Sequence, residues 1–289
     1  MSILQIISLS IIQGLCELLP VSSSAHVLVA ARLMGIDPSS PEMTFLLVML
    51  HTGTMLAVIV YFWNSWQRDY FASRAAMRIT IKELITATVA TAAVGGALLM
   101  LIEKVVLHGQ PRAEVEILFS NFTLIAIALA AAGLLILVAG KGRRDENFGV
   151  APNASNIGTS RSWCIGAVQG LCLPFRGFSR SGATISTGLI MGATRLASEK
   201  FSFALAVILT PPVILRELLR LIKAHTGTGE IINLPILTLP GIIGMICSFV
   251  AGLLALRWLS RWLEQGRWQW FGFYCLGAAI VVFFVGRYT

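Results

Sequence analysis

The chain has 289 residues, of which 56% are hydrophobic and only 12% charged, with a formal net charge of +8. Soluble globular domains carry about 25% charged residues, so half the usual polar cover is missing. A cytosolic enzyme, a disordered protein and a disulfide-stapled secreted domain are thereby excluded, and a helical integral membrane protein remains, in which a basic excess reports topology before it reports a nucleic-acid partner.

In chain order, the first apolar stretch covers 2–34 and is interrupted by Pro20-Val21-Ser22-Ser23-Ser24-Ala25-His26. It has no basic leader segment, so it does not read as a signal peptide. Spans follow at 44–63, 83–103 and 117–139, each long enough for the roughly 20 apolar residues that cross a hydrocarbon core. A second interrupted stretch covers 163–192, broken by Pro174-Phe175-Arg176-Gly177-Phe178-Ser179-Arg180-Ser181-Gly182, and three more spans follow at 201–221, 236–256 and 268–286. Polar linkers fall at 64–82, 104–116, 140–162 and 222–235. Each interrupted stretch is an apolar arm, a polar tip and a second arm. The arms of the second are too short to span, and irregular backbone at membrane depth needs protein or a wet cavity around it. Both stretches therefore read as re-entrant helical hairpins whose tips meet inside the protein.

The hairpins are related. Gln13-Gly14-Leu15-Cys16 recurs as Gln169-Gly170-Leu171-Cys172, and each copy precedes a proline-containing tip and then three spans. A half with three crossings ends on the side opposite its start, so the expected architecture is an all-α membrane protein of six spans and two hairpins in an inverted repeat. It forms one domain over 1–289, with repeat one at 1–140, a cytoplasmic linker at 140–162 and repeat two at 163–289. One side collects Arg68, Arg74, Arg78, Lys82, Lys141, Arg143, Arg144, Arg161, Arg195, Lys200, Arg257, Arg261 and Arg267. The other collects Arg32, Lys104, Arg112, Arg220, Lys223 and Arg287. The richer side is expected to be cytoplasmic, which puts both termini outside. The tryptophans Trp63, Trp66, Trp258, Trp262, Trp268 and Trp270 gather at span ends and fit an interfacial belt. Pro211-Pro212 marks a helix break or a kink. The five cysteines sit in apolar stretches without C-x-x-C spacing and read as small hydrophobes.

A charge at membrane depth costs about 2.5–3.5 kcal/mol on insertion scales, so Glu17, His26, Arg176 and Arg180 each call for a partner or a function. Helical spacing places Gln13 and Glu17 on one face. Ser22, Ser23 and Ser24 offer hydroxyls beside them, and His26 an imidazole. In the second tip Ser179-Arg180-Ser181-Gly182-Ala183-Thr184 sets a guanidinium between hydroxyls at a helix start, the makings of a phosphate site. Together these groups suit phosphoryl transfer on an amphipathic phosphate ester. The bland alternatives are a structural Glu17–Arg180 pair and serines that only bond backbone carbonyls. His51 and Thr52, near a span start, read as polar packing with at most a supporting role.

The first tip, Q-G-L-C-E-L-L-P-V-S-S-S-A-H from Gln13 to His26, resembles the first signature of the bacterial undecaprenyl-diphosphate phosphatases of the bacitracin-resistance type. The second, R-G-F-S-R-S-G-A-T from Arg176 to Thr184, resembles their second signature. The resemblance extends over the whole chain in length, hairpin placement and span count. It implies removal of the terminal phosphate from the C55 polyprenyl diphosphate carrier, which recycles that carrier for peptidoglycan synthesis and confers bacitracin resistance. It implies the bacterial cytoplasmic (inner) membrane with a site open to the outer face, and a divalent cation, Mg2+ or Ca2+. Bacitracin then competes by sequestering the substrate, and a homodimer is compatible with such a fold. By the same resemblance Glu17 handles metal and water, Ser23 and His26 act in catalysis, and Arg180 holds the diphosphate with Ser179, Ser181 and Thr184. Gln13, Ser22, Ser24 and Arg176 complete the expected substrate-binding set. Two positions depart from the pattern: Gln13 stands where many members have Glu, and Arg176 where Pro is usual. Attack by Ser23, by His26 or by water all stay open. A transporter, or flippase, of a polyprenyl phosphate lipid is the alternative, because broken helices in inverted repeats are typical of carriers.

Overall fold

The computed structural model describes residues 1–37, 40–106, 121–141, 156–228 and 234–288. Arg112, Arg143 and Arg144, most of the linker 140–162 and the side chains of Arg220 and Lys223 lie outside the described residues. The described residues form helices and no strands.

The first interrupted stretch is α1 (Ile3–Leu18) and α2 (Ser23–Leu33). Ser2 and Gln5 cap α1 reciprocally, satisfying two of its free amides. It ends at Leu19, which is extended (φ −74°, ψ 151°), as a residue before proline must be. The three spans that follow are α3 (Pro41–Asp69), α4 (Arg74–Leu101) and α5 (Phe122–Lys141). The second interrupted stretch is α6 (Thr159–Leu171) and α7 (Arg180–Ile190). The last three spans are α8 (Arg195–Thr228), α9 (Leu234–Glu264) and α10 (Gln269–Tyr288). Among the described residues six helices are long and apolar enough to cross a membrane, so the chain is a multi-pass membrane protein. At about 1.5 Å per residue, α1, α2, α6 and α7 reach between about 16 and 24 Å, short of a hydrocarbon core of about 30 Å.

The helices overrun the apolar stretches. The expected polar linker 64–82 is almost all helix, interrupted only at 70–73, where Ser73 caps α4 by accepting from the Ala76 amide at 3.1 Å. Polar flanks do not end a helix; caps and prolines do. Pro211 and Pro212 lie inside a continuous α8. The tryptophan belt is also corrected in part. Trp66 and Trp268 are buried, and the Trp268 indole N–H donates to Ser186 Oγ at 3.1 Å, so these two are core residues; Trp63, Trp258 and Trp270 are exposed.

The most extensive helix contacts join α5 to α10, α3 to α9, α4 to α6 and α1 to α9. Two of these seams rest on glycines from the repeated tetrapeptide. A Cβ on Gly14 would lie 2.6 Å from the Ser248 carbonyl oxygen and 3.1 Å from the Gly252 amide of α9. A Cβ on Gly170 would lie 2.8 Å from the Gly95 amide and 3.0 Å from the Thr91 carbonyl oxygen of α4. Each first arm thus lies backbone to backbone against a span of the other half. The tip residues Leu18, Leu19 and Val21 are buried in the main core with Phe62, Leu129, Ile136, Phe203 and Leu256.

A group outside the tips anchors the second hairpin. Glu83 of α4 is 3% exposed and accepts from the Gly158 amide at 2.8 Å and the Ile157 amide at 3.3 Å, capping α6 from another helix. Lys200, also buried, pairs with Asp69, and Glu199 accepts from Ser260 Oγ at 2.5 Å.

Candidate active site

Both tips turn through the same unusual backbone. Ser22 (φ 68°, ψ 95°) precedes α2 and Ser179 (φ 49°, ψ 94°) precedes α7; among the described residues they are the non-glycine positions with positive φ. Such conformations cost of order 1–3 kcal/mol each and cluster at functional sites. Here they start two helices at one place. The first residues of both, Ser22 to Ser24 and Ser179 to Ser181, line one pocket with Glu17, His51, Arg176, Phe175 and Phe178. Helix N-termini carry free amides and partial positive charge, so a pocket built on two of them, with two arginines, suits a diphosphate.

Glu17 is the hub. Its Oε1 accepts from Arg180 Nη2 at 2.7 Å. Its Oε2 accepts from Ser23 Oγ at 2.5 Å and from Gln13 Nε2 at 3.2 Å, and lies 3.7 Å from His51 Nε2. The tips are further tied by Ser181 Oγ, which donates to the Leu19 carbonyl at 3.2 Å. Ser22 and Ser24 share a hydroxyl contact of 3.3 Å. Ser179 Oγ accepts from the Gly182 amide at 3.3 Å.

The structure thus brings together Gln13, Glu17, Ser22, Ser23, Ser24, Arg176, Ser179, Arg180 and Ser181. Two expected site residues stand apart. Thr184 is fully buried beneath the pocket, where its hydroxyl donates to the Arg180 carbonyl at 2.8 Å and meets Ser202 Oγ at 2.6 Å. It braces the arginine's helix and does not line the pocket. His26 does not line it either. Its Nδ1 is 2.8 Å from the Ser22 carbonyl and its Nε2 is 2.8 Å from the Tyr274 hydroxyl of α10, against whose ring it stacks. These two contacts hold the His26 ring against α10 and away from the pocket. His51 takes the place in the pocket that the sequence suggested for His26. The available signal was its imidazole inside an otherwise apolar span, a costly placement; its distance in sequence from both tips concealed it.

The donor set does not fit a resident divalent cation. Glu17 is the one carboxylate lining the pocket among the described residues, and both its oxygens are engaged by Arg180, Ser23 and Gln13. Among the described residues no three His, Cys, Asp or Glu side chains gather as a metal cage. Hard cations take several oxygen ligands and are often completed by substrate phosphates.

The family model described as "Bacitracin resistance protein BacA" matches residues 6–281. The chain is 54% identical over 284 residues to "Undecaprenyl-diphosphatase 2" of Acinetobacter baylyi, covering 98% of this chain and 97% of that protein. It is 33% identical over 294 residues to "Undecaprenyl-diphosphatase" of Desulfosudis oleivorans, with 98% of each chain covered. It is 30% identical over 281 residues to "Undecaprenyl-diphosphatase" of Renibacterium salmoninarum, covering 95% of this chain and 92% of that one.

Proposed function

The chain belongs to the bacitracin resistance protein BacA family, and we infer from that membership and from the pocket that it hydrolyses undecaprenyl diphosphate to undecaprenyl phosphate and inorganic phosphate. It is a membrane hydrolase that recycles the lipid carrier of peptidoglycan synthesis and confers bacitracin resistance.

The observation that carries the reading is the contact of Ser23, Glu17 and Arg180. A hydroxyl 2.5 Å from a carboxylate oxygen is a nucleophile beside its base. A guanidinium next to it binds two phosphate oxygens at once. In our mechanism Arg180, Arg176 and the amides of α2 and α7 hold the diphosphate. Ser23 Oγ attacks the terminal phosphorus and its proton passes to Glu17 Oε2. The bond to the prenyl monophosphate breaks, and that leaving group departs with the electron pair. Gln13 steadies Glu17, and His26 holds the Ser22 carbonyl and so the strained start of α2. A divalent cation bound together with the substrate would supply neutralisation of phosphate charge. A lipid carrier would need the arginine but has no use for a serine set on a carboxylate.

The same reading extends to architecture. The paired seams at Gly14 and Gly170, the matching turns at Ser22 and Ser179, and four arms shorter than a bilayer support two re-entrant hairpins in an inverted repeat. The basic side carrying Arg68, Arg74, Arg78 and Lys82 supports a cytoplasmic assignment for the 70–73 turn in a bacterial inner membrane. With that orientation we assign the pocket to the outer face, where bacitracin would sequester the substrate; a homodimer is compatible with this arrangement.

The test is phosphate release from a short-chain prenyl diphosphate by detergent-purified protein. We expect turnover by the native chain and loss of at least about 100-fold in Ser23→Ala, in line with general-base-assisted steps. Binding of the diphosphate without release by the native chain would overturn the reading.

A further inference from the structure

We propose that His51 is the general base of the second half-reaction, taking the proton from the water that hydrolyses a phosphorylated Ser23. This rests on the serine route proposed above and goes beyond it, because that route leaves one step without a base. When Ser23 attacks, Glu17 Oε2 receives its proton, so the oxygen nearest the serine is no longer a free acceptor. Glu17 Oε1 is held by Arg180 at 2.7 Å. The other titratable groups lining the pocket among the described residues are Cys16, Cys172, Arg176, Arg180 and His51. A guanidinium has no acceptor and a thiol is a weak one.

His51 is built for acceptance. Its Nδ1 lies 2.8 Å from the Leu47 carbonyl oxygen, which can only accept, so the hydrogen between them belongs to Nδ1. In the neutral ring Nε2 therefore carries a bare lone pair. That atom faces the pocket, 3.7 Å from Glu17 Oε2, too far for a direct hydrogen bond and within reach of a water between them. The ring sits on a rigid seam. Ser248 Oγ of α9 donates to the Leu50 carbonyl at 3.0 Å, and a Cβ on Gly53 would fall 2.3 Å from the Met245 carbonyl oxygen. By contrast, both ring nitrogens of His26 are already bonded, to Ser22 and Tyr274.

The step balances. A water oxygen bonds to phosphorus and its proton goes to His51 Nε2. The P–Oγ bond breaks with its electron pair on Ser23 Oγ, which takes back the proton held on Glu17. Inorganic phosphate leaves, and the proton on His51 leaves with it.

The experiment is rapid-mix turnover of a short-chain prenyl diphosphate labelled in its terminal phosphate, with protein-bound label mapped by mass spectrometry. In His51→Gln and His51→Leu we expect a burst of about one prenyl monophosphate per protein, label on Ser23, and steady phosphate release slowed by about 100-fold. The native chain should show no such accumulation. Steady release within threefold of native and no burst, in variants that unfold at the native temperature, would overturn the proposal. So would loss of burst and steady release together, which would put His51 in the first transfer. Failure of the serine route itself reads differently: Ser23→Ala would keep turning over, with no labelled serine in any variant.

Discussion

Oε1 of Glu17 lies 2.7 Å from Nη2 of Arg180, 163 residues further along the chain, so one ion pair joins the two hairpin tips. It is partly buried, with 15% of the Glu17 side chain and 26% of the Arg180 side chain exposed. Arg180→Ala is expected to abolish measurable phosphate release and to destabilise the tips by about 1–3 kcal/mol, less than for a fully buried pair because solvent screens it. Arg180→Lys should recover most of the stability but little of the activity, since one ammonium cannot grip two oxygens in a plane. Phosphate release and thermal unfolding in detergent separate the two effects.

Arg176 is exposed at the pocket rim. Arg176→Pro should raise KM several-fold while kcat stays within about twofold, the signature of binding lost equally from ground and transition states. An equal fall of kcat and kcat/KM would place Arg176 in the transition state instead.

Gln13 donates to Glu17 from one turn away on α1. Gln13→Glu would set two carboxylates on one helical face and convert a poor cation site into a plausible one, since ligand charge sets affinity for hard cations. Mn2+ binding to the substrate-free protein, followed by electron paramagnetic resonance, should strengthen by about tenfold. No change in Mn2+ affinity would show that the cation is held wholly by the substrate.

Away from the pocket, the seams make a sharp contrast. Gly170→Ala forces a methyl to within 2.8 Å of the Gly95 amide and should cost about 1–3 kcal/mol. Gly96→Ala, where a Cβ meets nothing within 4 Å, should be neutral or stabilising by up to about 1 kcal/mol. Thermal unfolding of the two variants gives the comparison directly.

Glu83 caps α6 through the Ile157 and Gly158 amides. Glu83→Ala leaves two backbone donors without partners and should destabilise the second hairpin by about 2–4 kcal/mol. Glu83→Gln, which keeps an acceptor oxygen, should retain about half of that. Proteolysis at the start of α6 is a suitable local readout.

Composition and hydropathy were enough for the six spans, because the lipid solvent demands long apolar helices wherever the chain crosses it. The tetrapeptide at Gln13 and Gln169 and the charged tips marked where the chemistry gathers, because polar groups at membrane depth are too costly to keep without a use. Glu17, Ser23 and Arg180 were legible for that reason. Their pairing across 163 residues, the burial of Trp66 and Trp268, the cap that Glu83 places on α6, and the exchange of His26 for His51 at the pocket were not. Those depend on the angle at which helices meet. The ring of His26 is taken up by Tyr274 of α10, whereas His51, on a separate span carried in by the packing of α3 against α9, reaches the carboxylate.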